Sequence, residues 1–159
     1  MAYTNYEFYT TEYYGDVVPE EKFPKYIERA CNRIDGITFD RLVDGLPSDK
    51  QSNVRIQKAV CAVADVLYLI ETVRKASIET VGTIKREDGS VTGKQIASLS
   101  SGSESISYVT GTNGTGKDIY SQAAMNKQVE NVLIRQAATE YLQGVADDNG
   151  VNLLYAGVR

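Results

Sequence analysis

The sequence contains no histidine, which removes the side chain that most often transfers protons in enzymes and most often binds transition metals. Every nucleophile that depends on a Ser–His or Cys–His pair is excluded with it. Only Cys31 and Cys61 are present, without the short cysteine framework of small secreted domains. These absences disfavour most catalytic functions and indicate a reducing compartment.

The sequence also lacks a basic excess and a long apolar run. Its 17 basic and 21 acidic residues give a net charge of −4, so no strong field attracts nucleic-acid phosphates. The longest nearly apolar run, residues 59–70, is interrupted by Asp65 and is shorter than the roughly 20 residues of a membrane span. The first fifteen residues do not have the basic and then apolar order of a secretion signal. We therefore expect no membrane association and no secretion signal.

The sequence contains several segments in which apolar residues recur at the spacing of an α-helix. A chain of 159 residues can form one domain with a substantial core. Residues 49–77 predict a long helix whose middle is apolar nearly all round, which is typical of a central helix. The clearest amphipathic helix has its apolar face at Phe23, Tyr26, Ile27, Ala30, Cys31 and Ile34. These patterns predict a mainly α fold in a single domain spanning residues 1–159.

Capping patterns predict where the helices begin. Thr4 with Glu7, and Ser48 with Gln51, fit capping boxes at the starts of a short aromatic helix and of the long helix. One more short helix is predicted over residues 37–45. Asp118 is expected to cap a last helix that reaches about residue 145. Its buried side is predicted to contain Val129, Val132, Leu133, Ala137, Tyr141 and Leu142.

Residues 77–117 have a different composition, with Gly, Ser and Thr at 21 of 41 positions. An Asp-Gly turn signal at residues 88–89 and the alternating pattern of residues 104–110 predict an extended loop or a β-hairpin arm. Ile106 and Tyr108 in this arm are candidate contacts with a partner protein.

Residues 111–117 match the spacing of a phosphate-binding loop, Gly-x-x-x-x-Gly-Lys. Such a loop needs Ser or Thr after its lysine to hold magnesium, and Asp118 stands there instead. A nucleotide-binding enzyme is therefore the least favoured function. The turn at residues 147–150 lacks the closing glutamate of a calcium loop. We predict no catalytic, cofactor-binding or metal-binding residues.

Two polar or aromatic features have structural interpretations. The tyrosine-rich N-terminus is acidic rather than basic, which favours a flap packed on the core or on a neighbouring subunit over a platform that stacks bases. Asp65, inside the apolar helix, has no partner carboxylate at useful spacing. We expect it to be hydrogen-bonded or to lie at an interface.

The apolar C-terminal tail, residues 147–159, is predicted to dock on a partner protein or on a neighbouring subunit. The alternative is that it folds back on its own helices and completes a small core. The residues assigned to the partner interface are Leu153, Leu154, Tyr155, Val158 and Arg159, together with Ile106 and Tyr108 of the arm.

Several stretches resemble a known family when they are taken in order. They are YEFYTTEYYGDVVPEEKFPKYIERACNRIDGITFDRL, KAVCAVADVLYLIE, SGSESISYVTG and NGVNLLYAGVR. Together they resemble the head-to-tail connector proteins of tailed bacteriophages, the adaptors that complete the head below the portal. The resemblance covers the first seventy residues, the SESISY segment and the C-terminal tail. The long segment 77–117 departs from it.

The resemblance implies a non-enzymatic structural protein of the virion neck. It implies a small antiparallel helical bundle with an extended loop, assembled in the host cytoplasm into a ring, usually of twelve subunits. Such a ring extends the DNA channel without binding DNA specifically. It contacts the portal on one side and the next neck or tail protein on the other. The alternative is another phage tail-completion or assembly protein of helical build.

Overall fold

The structure is a computed structural model that describes residues 2–79, 84–85, 91–92, 95–100, 105–109 and 119–157. It is mainly helical, as predicted. A single 3₁₀ turn, Glu20–Lys22, precedes the second helix. In chain order the helices are α1 (Tyr6–Thr11), α2 (Phe23–Ile37), α3 (Lys50–Glu79), α4 (Ile119–Met125) and α5 (Lys127–Leu142).

Within the described residues between α3 and α4, four short strands occur. Strands β1 (Ile84–Lys85) and β2 (Val91–Thr92) pair antiparallel, as do β3 (Gln95–Ser100) and β4 (Ser105–Val109). In the second pair Leu99 lies opposite Ile106, and the register shifts between Ile96 and Ser98.

The chain forms two compact units. Unit 1 comprises Met1–Tyr68 and Asn131–Arg159, and unit 2 comprises Leu69–Glu130. The core of unit 1 draws on the N-terminal segment, on α1, α2, α3 and α5, and on the C-terminal segment. Its largest fully buried side chains are Tyr9, Ile34, Leu42, Ile56, Leu142, Leu153, Val18, Val60, Val63 and Val145.

Helix α1 begins one residue later than the capping pattern predicted. Its N-cap is Asn5, whose Oδ1 accepts a hydrogen bond from the Phe8 amide at 2.8 Å. Thr4, the predicted cap, is buried instead. A Cβ on Gly15 would lie only 2.3 Å from a carbon of the Tyr9 ring. Position 15 therefore requires glycine because the backbone packs directly on that ring.

Helix α2 buries the face that its spacing predicted. Pro24 stands in the first turn, where a missing amide hydrogen has little effect. Each large apolar side chain removed from water on this face contributes roughly 1.5–3 kcal/mol. The buried residues are Phe23, Tyr26, Ile27, Ala30, Cys31 and Ile34, so the amphipathic pattern is confirmed residue by residue.

Residues 38–48 form turns rather than the short helix that was predicted. The φ angles of Phe39 and Asp40 are 56° and 58°, in the left-handed region that a right-handed helix excludes. Leu42 is fully buried and anchors the loop, whereas Phe39 is 47% exposed. The prediction failed because the Thr and Asp residues around Phe39 favour turns.

Helix α3 is the central helix of unit 1, as its all-round apolar middle predicted. All six residues from 59 to 64 are buried, so the helix is covered on every side there. Its cap differs from the prediction, because Asp49 accepts the hydrogen bond from the Ser52 amide at 2.7 Å. Ser48 donates its hydroxyl to Asp148 Oδ1 at 2.7 Å instead.

The last helical region is two helices rather than one. Asn126 separates α4 from α5, and its Oδ1 accepts a hydrogen bond from the Gln128 amide at 2.9 Å. The chain leaves the helical conformation near Gly144, whose φ of 77° glycine adopts without strain. The predicted end of this region is thus close to the observed one, while Asp118, the predicted cap, lies outside the described residues.

The buried side of α5 was predicted incorrectly in part. Ile134, Ala138 and Leu142 are buried, whereas Val132 is 62% exposed. Two overlapping apolar stripes occur in this segment, and helical periodicity alone does not select between them. Packing on the core of unit 1 selects the stripe that contains Ile134.

Candidate interaction surfaces

A carboxylate on α3 joins the central helix to the N-terminal segment. Asp65 accepts hydrogen bonds from the hydroxyls of Tyr9 and Tyr13, at 2.6 and 3.1 Å. The Tyr9 oxygen in turn accepts from the amides of Val17 and Val18, at 3.0 and 2.9 Å. Asp65 is hydrogen-bonded, as predicted, and the N-terminal segment is an aromatic flap packed on the core.

The electrostatics of this cluster favour a structural role. Burial raises the pKa of Asp65 to about 6, and the hydrogen bonds from the two tyrosines offset only part of that effect. Burial, with the negative charge of Asp65, also raises the pKa of Tyr9 and Tyr13. The phenols therefore stay protonated and donate, and both carboxylate oxygens are used in joining two elements of one core.

A second set of hydrogen bonds attaches Tyr3, near the N-terminus, to α2 and to the turns that follow it. The Tyr3 hydroxyl donates to Asp35 Oδ1 at 2.6 Å and to the carbonyl oxygen of Leu42 at 3.2 Å. Its amide contacts Cys31 Sγ at 3.5 Å. Burial raises the pKa of the Cys31 thiol and raises that of Cys61 to about 12. Both cysteines thus act as small buried apolar groups rather than reactive thiolates.

The fold buries one part of the predicted docking tail and leaves another part exposed. Leu153 is fully buried in the core of its own chain, so the prediction that it enters a groove of a partner is wrong. Its amide donates a hydrogen bond to the Val145 carbonyl oxygen at 2.9 Å, and this bond holds the tail next to the end of the helical region. Leu154 is half-buried against the same core, whereas Tyr155 is 60% exposed. A partner contact through Leu154 or Tyr155 stays a prediction.

Arg41 holds this tail in place. Its Nη1 donates to the carbonyl oxygens of Asn152, Leu153 and Tyr155, at 3.4, 3.3 and 2.7 Å. The guanidinium also lies 5.7 Å from the centre of the Phe39 ring. The sequence around Arg41 predicts a helix and gives no indication of the hydrogen bonds from Arg41 to the tail. Its partners become neighbours only through folding.

One continuous surface results from this contact between residues 38–48 and residues 145–157. We call it the tail surface. Its exposed apolar side chains are Phe39, Val43, Val151 and Tyr155, with Val43 57% exposed. Asp148 accepts hydrogen bonds from the amide and the hydroxyl of Ser48, at 2.8 and 2.7 Å, which joins the two segments. Asp147 accepts from the amides of Asn149 and Val151, both at 2.9 Å, within the second segment.

A polar contact joins α2 to α5 in unit 1. Arg33 of α2 approaches Asn131 of α5, with 3.4 Å between Nη1 and Oδ1. Next to Asn131 along α5 is the exposed Val132, and Arg135 is exposed one turn further on.

Unit 2 contains a buried carboxylate that forms two ion pairs. Glu130 is buried and pairs with Arg74, at 3.1 Å, and with Lys127. Burial alone would raise the pKa of Glu130, but its hydrogen bonds to these cations and their charges lower it. Arg74 Nε also donates to the Ala124 carbonyl oxygen at 3.1 Å. This arrangement fixes α3 to α4 and α5 within unit 2.

The remaining residues of the predicted partner interface lie outside the side chains that the structure describes. Ile106 and Tyr108 lie in β4, but their side chains are outside the described residues, as are Val158 and Arg159. The phosphate-loop motif at residues 111–117 is also outside them.

Among the described residues, no group of three or more acidic or cysteine side chains could hold a metal ion. No helix in those ranges has the length and hydropathy needed to cross a membrane. Comparison of the chain with protein-family models, curated proteins and solved structures finds no match.

Proposed function

We propose that the protein is a structural subunit of a tailed-bacteriophage neck, an adaptor that forms a ring below the portal and joins head to tail. The observation that carries this proposal is the ordered resemblance over the first seventy residues, the SESISY segment and the C-terminal tail. In this proposal the protein has a structural role, as part of a channel that connects head and tail, and is not an enzyme. Its ring extends the DNA channel and presents a surface to the next neck or tail component.

The residues that carry the resemblance coincide with the core of unit 1. The first stretch contains Tyr9, the buried face of α2 and Leu42, and the second contains the buried middle of α3. The last stretch contains Leu153, which completes the same core. The resemblance therefore concerns residues that determine a fold, which supports a shared architecture.

The finer architecture is part of the proposal. The helices of unit 1 form an antiparallel bundle, and residues 77–117 form an arm that contacts a neighbouring protein through Ile106 and Tyr108. The antiparallel backbone pairing of β3 with β4 is compatible with a hairpin in this arm. The net charge of −4 suits a channel along which DNA slides, because like charges discourage adhesion.

The deciding experiment is deletion of the gene from a phage genome that encodes this chain, followed by electron microscopy of the particles. We expect DNA-filled heads with a portal but without attached tails, and restoration of tailed particles when the chain is supplied from a plasmid. Immunogold labelling of intact particles should mark the head–tail junction. Quantitative mass spectrometry should give about as many copies of this chain as of the portal subunit.

Two outcomes contradict the proposal. If the chain is required for assembly but absent from finished particles, it is an assembly factor. If deletion leaves normal tailed particles, it has no essential role in the neck.

A further inference from the structure

The N-terminal segment is attached to the rest of unit 1 by side chains rather than by its backbone. We call residues 2–18, which contain α1, the flap. Among the described residues, the backbone hydrogen bonds of the flap join its own residues to one another, as in the bond from the Gly15 amide to the Tyr9 carbonyl oxygen at 2.8 Å. The flap can therefore leave the helices without breaking a backbone hydrogen bond of the remaining fold.

Two groups of side-chain contacts hold the flap in place. Near its start, the Tyr3 hydroxyl donates to Asp35 of α2 at 2.6 Å. Over the central helix, Tyr9 and Tyr13 donate to the two oxygens of Asp65, at 2.6 and 3.1 Å. The only carboxylate in the second group is thus the point at which both phenols of the flap meet α3.

Aromatic rings pack beside these hydroxyl contacts. The ring centre of Tyr9 lies 5.1 Å from that of Phe23 on α2, and the ring centre of Tyr13 lies 6.3 Å from that of Tyr141 on α5. These contacts cover Asp65 and keep water from it while the flap is closed.

No positive charge compensates Asp65 within the described part of the chain. The titratable groups that face it there are Tyr9, Tyr13 and Asp16 of the flap, Cys61 of α3 and Tyr141 of α5. None of them is a cation, and Asp16 carries a charge of the same sign. The phenols donate hydrogen bonds but leave the negative charge in place. A buried carboxylate in these surroundings is favoured in its neutral form.

We propose that the flap detaches from the helices of unit 1 as one segment and that the charge on Asp65 controls how often it does so. A neutral Asp65 side chain still forms hydrogen bonds with the two phenols, so the flap stays closed. An ionised Asp65 gains hydration when the flap opens, which stabilises the charge. Ionisation therefore favours the open state.

The direction of the pH dependence follows from burial. In the closed state burial raises the pKa of Asp65 from 3.8 to about 6, whereas opening lets water reach the carboxylate and returns the pKa toward its ordinary value. The stabilisation of the closed state is fully present below pH 3.8 and is lost as the pH rises through about 6. The open fraction should rise roughly tenfold or more between about pH 4 and pH 7.

Hydrogen exchange of the full-length chain, followed by mass spectrometry of its peptides, measures the opening. Residues 6–18 report the flap, because a helix as short as α1 is not stable in water by itself. The buried residues 59–64 of α3 report unfolding of the whole unit. Protection factors are compared, since they remove the effect of pH on the chemistry of exchange. We expect the flap to be less protected than residues 59–64 at every pH and to lose roughly tenfold or more of its protection from about pH 4 to pH 7.

Two variants separate the charge of Asp65 from other effects of pH. Asp65→Asn keeps a neutral hydrogen-bonding side chain and should hold the flap at its low-pH protection throughout this range. The matched control is Glu12→Gln, which removes an exposed carboxylate of the flap that does not face Asp65. It should respond to pH as wild type does. If Asp65→Asn does not fold, the wild-type profiles of the flap and of residues 59–64 still decide the question.

Two results overturn the inference. Equal protection of the flap and of residues 59–64 at each pH would mean that the flap opens only when unit 1 unfolds. Flap protection that changes no more with pH in wild type than in Asp65→Asn, or that does not fall at all with rising pH, would mean that Asp65 does not control it. Release of the flap takes place within one subunit, so neither result bears on the proposed function.

Discussion

Tyr9 and Asp65 stand 56 positions apart in the chain and are joined by a hydrogen bond of 2.6 Å. The same Tyr9 oxygen accepts two backbone amides, so one hydroxyl connects α1, the following turn and the central helix. The ring itself is fully buried and stacks with Tyr6 and Tyr13. Removing this one oxygen therefore affects three contacts at once.

We predict that Tyr9→Phe lowers the free energy of unfolding by about 1–3 kcal/mol, because it removes the hydrogen-bond partner of Asp65 Oδ1 and of the Val17 and Val18 amides. Urea denaturation measures the change. Tyr14→Phe is the control, since Tyr14 is 82% exposed and its hydroxyl removal should leave stability unchanged. Equal stability of the two variants would show that the Tyr9 hydrogen bonds contribute nothing net.

Asp65 should make stability depend on pH. Its pKa is raised from 3.8 to about 6 in the folded chain, so folding favours the protonated carboxyl. This contribution is fully present below pH 3.8 and is lost as the pH rises through about 6. Over that interval it is on the order of 3 kcal/mol. Asp65→Asn should remove it.

The measurement is the free energy of unfolding of wild type and Asp65→Asn at several values from pH 4 to pH 7. Wild type should lose stability relative to the variant as the pH rises. Asp49, Glu130 and Asp148 have lowered pKa values and the opposite pH dependence, but they are common to both proteins and cancel in the comparison. Parallel curves for the two proteins would exclude the proposed titration of Asp65.

Arg41→Ala should release the C-terminal tail. The guanidinium donates to the carbonyl oxygens of Asn152, Leu153 and Tyr155, and the substitution leaves these three oxygens without that donor. Hydrogen exchange should accelerate there, while residues 59–64 of α3 stay protected. Arg135→Ala, which removes an exposed arginine elsewhere, should leave exchange in the tail unchanged. A tail that exchanges at the wild-type rate in Arg41→Ala would mean that burial of Leu153 alone holds it.

Leu153 and Tyr155 should separate folding from partner binding. Leu153→Ala removes a fully buried side chain and should cost roughly 2–5 kcal/mol of unfolding free energy. Tyr155→Ala should leave stability within about 0.5 kcal/mol, because the side chain is largely exposed. It should instead weaken self-association. Denaturation and sedimentation velocity on the same two variants test both statements, and a stable Leu153→Ala would restore the tail as a partner segment.

The sequence by itself determined the helical class, the buried face of α2, the central position of α3 and the hydrogen-bonded state of Asp65. These follow from periodicity and from the cost of burying a charge, which act within a single segment. The short helix predicted over residues 37–45 failed because an apolar pattern does not register the left-handed turn at Phe39 and Asp40.

Only the tertiary structure decided which apolar segments are core and which are surface. Leu153 and Tyr155 are two residues apart in one apolar tail, and hydrophobicity assigns both to a partner. The Val145–Leu153 hydrogen bond and the Arg41 clamp bury the first and expose the second. On α5, contact with the core selects Ile134 over Val132. Whether each of these residues is buried depends on contacts with residues distant in the sequence. The hydrophobic pattern of a single segment therefore does not predict it.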